Sequence, residues 1–132
     1  MAAKLPTAQV ALHWVGSSRS DLKDFPEDVQ DSMGYALYMA QIGGKHVDAK
    51  PLTGDPAFRG AGVLEVVEDF DGNTYRAVYT VRFAGVVYVL HAFQKKANTG
   101  IATPQGDIRR IKARLKTAKT HYEQNFGKRR AG

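Results

Sequence analysis

Two β-type runs separated by a two-residue break constrain this chain more than any other feature. Residues 75–83, YRAVYTVRF, alternate so that Tyr75, Ala77, Tyr79, Val81 and Phe83 fall on one face and Arg76, Val78, Thr80 and Arg82 on the other. Beyond Ala84-Gly85 the next run is apolar on both faces, with Val86, Tyr88, Leu90 and Ala92 against Val87, Val89, His91 and Phe93. That pattern predicts a central strand covered from both sides. Its end delivers Lys95 and Lys96. Upstream, Val63 to Glu68 is a shorter run, and Asp71-Gly72-Asn73 between it and Thr74 is a strong hairpin signal. Three strands in meander are expected.

The flanking segments read as a strand and helices. Residues 9–15 alternate Val10, Leu12 and Trp14 with Ala11, His13 and Val15, and Gly16 ends the run. Ser18 with Asp21 resembles an acidic capping box, which predicts a short helix over 18–24. Pro26 suits the first position of a second helix, whose stripe is Val29, Met33, Leu37 and Ala40 and whose stop is Gly43-Gly44. Residues 45–62, rich in Gly, Pro and Asp, are expected to be a connecting loop packed at 50–52 and 58–60. Thr103 is expected to cap a last helix that has Pro104 at its first position, with Ile108, Ile111, Leu115, Ala118 and Tyr122 on its inner face. The expected fold is thus α+β in the order β-α-α-β-β-β-α, a mainly antiparallel sheet in a single domain over 1–132. Helices are expected on one side of it and a concave cationic surface near Arg76 and Lys95 on the other, with 127–132 a loose basic tail.

Charge is distributed unevenly. Residues 1–94 hold 8 Lys/Arg and 11 Asp/Glu, net −3, whereas residues 95–132 hold 11 and 2, net +9. A basic third on a mildly acidic body suits a polyanion partner, or else a solvated helix that keeps the chain soluble. The outer side of the last helix carries Arg109, Arg110, Lys112, Arg114, Lys116 and Lys119. With no cysteine there is no disulfide, thiol catalysis or cysteine-ligated zinc. The opening MAAKLPTAQVALHWV lacks the continuous apolar core of a signal peptide and no run is long enough to span a membrane, so an intracellular, cytoplasmic protein is expected.

The candidate chemistry gathers around Arg76, Lys95 and Lys96. Arginine stays protonated and presents a planar fork to a phosphate on which charge grows, although Arg76 also suits a cross-strand ion pair with Glu65 or Glu68. Two lysines at the end of a buried strand depress one another's basicity and can move protons. His91, inside the apolar run, is either a hydrogen-bonded core residue or a proton shuttle. Arg82 is expected at the periphery. His13, His46 and His121 show no ligand spacing, so neither metal nor cofactor is expected.

The YRAVY strand, HAFQKK and the TP-initiated basic helix resemble the RelE/HigB superfamily of bacterial toxins, in particular its phage-derived, HigB-like branch. The resemblance runs from Leu12 through DLKDFPEDVQ, KPL, GVLEV and DGNTYRAVYTVRF to Leu115. It implies the toxin of a type II toxin–antitoxin system, an endoribonuclease that cuts messenger RNA on the ribosome. The reaction implied is attack of a ribose 2′-hydroxyl on the neighbouring phosphate. By position, the resemblance assigns Arg76, Lys95 and Lys96, with His91 beside them, to catalysis. Arg82, Arg109, Lys112, Lys116 and Lys119 are then expected to bind RNA. It also implies a cognate HigA-like antitoxin with a helix-turn-helix domain. Where the RelE branch has basic residues before the YR strand, this chain has Glu65 and Glu68, which leaves the general base open. A second reading stands beside this one: a non-catalytic nucleic-acid-binding or interaction module of phage origin.

Overall fold

The computed structural model describes residues 8–95 and 103–127. In chain order its elements are β1 (Ala11–Trp14), α1 (Ser18–Lys23), α2 (Glu27–Gln41), β2 (Ala49–Pro51), a 3₁₀ turn (Pro56–Phe58), β3 (Val63–Phe70), β4 (Asn73–Thr80), β5 (Val86–Lys95), α3 (Gln105–Tyr122) and a π-helical turn (Glu123–Gly127). The strands form one five-stranded sheet in the order β1-β5-β4-β3-β2, in which β1 runs parallel to β5 and every other pair is antiparallel. The β3–β4 turn follows from its residues. Asp71 and Gly72 take φ of +52° and +81°, the left-handed pair that lets a two-residue loop match the twist of its strands, and Phe70 faces Asn73 across the closing pair.

Both faces of the sheet are covered, because β5 is apolar on both. On one face α1 and α2 lay Leu22, Val29, Met33, Ala36, Leu37 and Ala40 over Val66, Ala77, Tyr79, Val87, Val89 and Ala92. On the other, α3 lays Ile108, Ile111 and Ala118 over Val63, Val78, Val86, Tyr88 and Leu90, with Leu115 and Tyr122 partly buried beside them. Each fully buried aliphatic or aromatic side chain contributes about 1.5–3 kcal/mol relative to exposure. The expectation of helices on one side only is therefore corrected: α3 covers the very face that carries Arg76, and the two-sided apolar pattern of residues 86–93 is the physical reason.

Other expectations shift locally. Residues 45–62 are not loop throughout. β2 pairs along the outer edge of β3, Ala49 opposite Val66 and Pro51 opposite Leu64, and an edge is where proline, which lacks an N–H, is tolerated. Ser17, not Ser18, precedes α1 and bonds Asp21 (Oγ to Oδ2, 2.7 Å), while the buried Ser18 donates to the carbonyl of Val89 and ties α1 to β5. Pro26 and Pro104 stand just outside their helices as cap residues instead of at the first helical position. β4 ends at Thr80, so Arg82 lies beyond the strand. Among the described residues no helix is long and apolar enough to cross a membrane. Lys96, the small-residue segment 97–102 and the basic tail from Lys128 onward lie outside the described residues.

Candidate functional site

An irregularity in β5 decides what the α3 face presents. Tyr79 faces Val89 and Val78 faces His91, so Leu90 has no residue opposite and the strand carries a bulge there. Inserting one residue reverses the side-chain alternation. The expected split of Leu90 from His91 and Phe93 is thereby corrected. Downstream of the bulge His91, Phe93 and Lys95 share the face of Val86 and Tyr88, and Ala92 turns to the α1/α2 core.

The same register sets Arg76 in the middle of a row. It lies opposite Val67 and Phe93, so that Glu65, two residues along β3, and Lys95, two along β5, are its diagonal neighbours on the same face. Arg76 donates from Nη1 to Glu65 Oε1 at 2.8 Å and to Thr103 Oγ1 at 3.2 Å. Both members of the ion pair are buried, with side chains only 7% exposed. Of the two acidic partners considered from sequence, the structure selects Glu65. Glu68 points to the other face, opposite Tyr75. Lys95 is 4% exposed, and its Nζ makes no hydrogen bond among the described residues. Burial lowers its pKa from the ordinary lysine value, the guanidinium of Arg76 lowers it further, and Glu65 opposes both. The row thus joins a fixed cation, a carboxylate and an ammonium whose pKa is held below the ordinary lysine value.

His91 sits further along the same face, 2% exposed, with its ring stacked on Phe93 at 4.7 Å. Its Nε2 lies 2.7 Å from Asp107 Oδ1 and its Nδ1 3.4 Å from Arg114 Nη1. Arg114 can only donate, so Nδ1 is the acceptor and Nε2–H the donor, the tautomer of a neutral imidazole. Burial lowers the His91 pKa, with Arg114 and Arg110 adding to it and Asp107 opposing. Arg114 reaches on to the carbonyl of Leu90 at 3.0 Å and to Ser17 Oγ at 2.9 Å. It crosses over Gly16, where an added Cβ would meet its guanidinium at 2.8 Å and where φ is +58°. One side chain thus locks α3 to β5 and to the start of α1.

The five cations expected to bind RNA are all exposed. Arg82, Lys112, Lys116 and Lys119 line one groove, while Arg109 lies outside it toward the start of α3. Lys112 pairs with Asp55 at 3.1 Å. Residues that sequence reading did not single out for the site are Thr103, Asp107 and Arg114. Asp107 and Arg114 stand 16 and 23 positions from His91, a separation at which no linear signal survives. On the opposite face, His46, Asp48 and Glu68 bring possible ligand atoms within 4.8 Å of one another. Glu68 is pushed above the ordinary glutamate value, first by burial and then by the adjoining Asp48 carboxylate.

A protein-family profile described as "Phage derived protein Gp49-like (DUF891)" matches residues 20–116. A chain of the toxin-antitoxin complex RelBE2 from Mycobacterium tuberculosis is similar in structure at a TM-score of 0.45 and 17% identity, over 71% of this chain and 100% of that one. No curated protein matches the sequence significantly.

Proposed function

As the chain belongs to the family of phage-derived Gp49-like proteins, we propose that it is the toxin of a type II toxin–antitoxin system, a metal-independent messenger-RNA endoribonuclease of the HigB-like branch that acts on the ribosome in the cytoplasm. The observation that carries this reading is the row Glu65–Arg76–Lys95, three buried ionisable side chains side by side on one face of the sheet. Burying charge costs several kcal/mol per ion unless geometry compensates, so such a row is a functional candidate before it is a stabilising device.

In the proposed reaction the ribose 2′-oxygen attacks the adjacent phosphorus and the bond to the 5′-oxygen breaks. A 2′,3′-cyclic phosphate and a 5′-hydroxyl result. Arg76, with Lys95 and Lys96, stabilises the charge that gathers on the phosphorane oxygens. Proton transfer falls to Lys95, whose neutral form is favoured by burial and by Arg76, and to His91 acting through Asp107, whose carboxylate is 23% exposed. Arg82, Arg109, Lys112, Lys116 and Lys119 supply the phosphate contacts that hold ribosomal RNA. A HigA-like antitoxin with a helix-turn-helix domain is the proposed partner.

The test is cleavage of messenger RNA on programmed ribosomes. Arg76→Ala is expected to lower the single-turnover rate by about 10²–10³-fold, the scale of one lost preorganised donor, with ribosome binding retained. Full cleavage by an Arg76→Ala, Lys95→Ala double variant would discard this site. The second reading, a non-catalytic RNA-binding or interaction module, draws on the engagement of Arg76 with Glu65 and of both His91 ring nitrogens. It predicts no growth arrest on overexpression and no relief by Arg76→Ala.

A further inference from the structure

The groove between α3 and the segments around the 3₁₀ turn and the β4–β5 turn has two chemistries in one place. Its floor is apolar, made of Ala57, Phe83, Ala113 and Leu115, and its volume is about 380 Å³. Its rim is cationic, with Arg82 on one side and Lys112, Lys116 and Lys119 along α3. Lys112 already holds Asp55, which leaves Arg82, Lys116 and Lys119 exposed to a partner.

A cationic rim alone would suit any polyanion. The floor discriminates. Single-stranded RNA gains most of its non-ionic affinity by stacking bases on open aromatic faces. This groove has one aromatic, Phe83, and it is only 9% exposed because Tyr88 and Tyr122 pack against its ring at 5.5 and 5.0 Å. What remains accessible is aliphatic: the methyl groups of Ala57 and Ala113, the half-buried Leu115 and the stems of the lysines. That surface suits aliphatic side chains flanked by carboxylates. We propose that the groove is the docking site of an acidic amphipathic segment of a protein partner, with Leu- or Ile-type side chains on the floor and Asp or Glu on Arg82, Lys116 and Lys119. Taking that partner to be the antitoxin rests on the toxin reading given above. An occupied groove then neutralises cations proposed to hold ribosomal RNA, so the partner competes with ribosome docking and leaves the Arg76 row untouched.

The experiment titrates the full chain with two fluorescent probes, each read by anisotropy. One is a 14-residue helical peptide with Leu at positions spaced three and four apart and Glu between them. The other is a 14-nucleotide single-stranded RNA of mixed sequence. Ala113→Trp fills the floor at an exposed helix position without changing charge. It is expected to weaken the peptide at least 10-fold and to leave RNA affinity within about 2-fold. The Lys116→Glu, Lys119→Glu double variant should weaken both probes, and Lys23→Glu, a charge reversal at the end of α1 on the opposite side of the sheet from α3, should weaken neither by more than about 2-fold. A peptide whose Leu residues are all Ala should bind at least 10-fold more weakly than the parent. Equal binding of the two peptides, no peptide binding at about 1 mM, or RNA binding lost with Ala113→Trp would each overturn the proposal. Neither probe involves a ribosome, so a failed cleavage assay and a failed groove are distinguishable results.

Discussion

The two faces of the sheet obey different rules. Under α1 and α2 the central strands present Ala77, Tyr79, Val87, Val89 and Ala92, an apolar layer. Under α3 the same strands present Glu65, Arg76, Thr80, His91 and Lys95, and all five are buried. Along β4 and β5 the first face is built largely as a core should be, though it too buries the Tyr79 hydroxyl without a partner among the described residues and holds Glu68 toward its β2 side. The other carries charge that packing alone would not select. The contrast locates the candidate chemistry without reference to any relative, and it separates what holds the protein together from what the protein does.

The contrast is broken most forcefully at Arg76. Removing the guanidinium strands the Glu65 carboxylate in the interior, so Arg76→Ala is expected to cost about 3–5 kcal/mol in denaturant unfolding as well as the loss of cleavage. Adding Glu65→Gln should restore much of the stability and none of the cleavage. Recovery of both together would make the pair a structural bridge and nothing more. The reference on the apolar face is Met33→Ala, where Met33 is 1% exposed: it is expected to cost about 2–5 kcal/mol and to leave cleavage per folded molecule unchanged.

Lys95 sharpens the comparison, because on the α3 face stability and function should there move in opposite directions. Its Nζ is buried without a hydrogen bond among the described residues, a state that costs about 1–3 kcal/mol. Lys95→Met keeps the length of the side chain and removes the polar atom. The unfolding free energy should rise by up to that amount while cleavage falls by about 10²–10³-fold. A variant that loses stability instead would show that the ammonium is satisfied in the native state.

How far these two faces were legible beforehand depends on the range of the signal. Periods of two and of three to four residues are local, so the 63–93 meander, the Asp71-Gly72 turn and the stripes Val29-Met33-Leu37-Ala40 and Ile108-Ile111-Leu115-Ala118 were readable. Glu65 was readable as one of two possible partners of Arg76, beside Glu68, because cross-strand neighbours follow from one hairpin. The bulge at Leu90 was not, since a bulge is a property of two strands in register and YVLHAF alternates equally well without it. β2 was hidden by its length and by Pro51. The Asp107 and Arg114 contacts of His91 depend on where α3 docks, which no local pattern specifies.

The smallest expected effect is on pH, and it too should divide the faces. His91 and His13 both belong to the α3 side, His13 opposite Tyr88 and stacked on His121 at 4.1 Å. Burial lowers both pKa values from 6.5, with His121 adding to the shift of His13 and Arg114 and Arg110 to that of His91. A base whose folded pKa lies below its unfolded value is bound by fewer protons in the native state, so stability rises with pH across that interval. The contribution is complete above about pH 6.5 and is lost as pH falls from there toward the folded values. Glu68, whose pKa is raised from 4.5, acts in the opposite sense, stabilising at low pH and losing that contribution as pH rises through its folded value. Thermal melts should therefore fall between pH 7.5 and 5.5, and His13→Gln should flatten part of that slope. Hydrogen exchange should increase in α3 before it does in α2. A melt that stays flat through this window, or acid exchange that begins in α2, would mean that the two faces respond to protonation as one unit and that the division drawn from their buried charges does not extend to their dynamics.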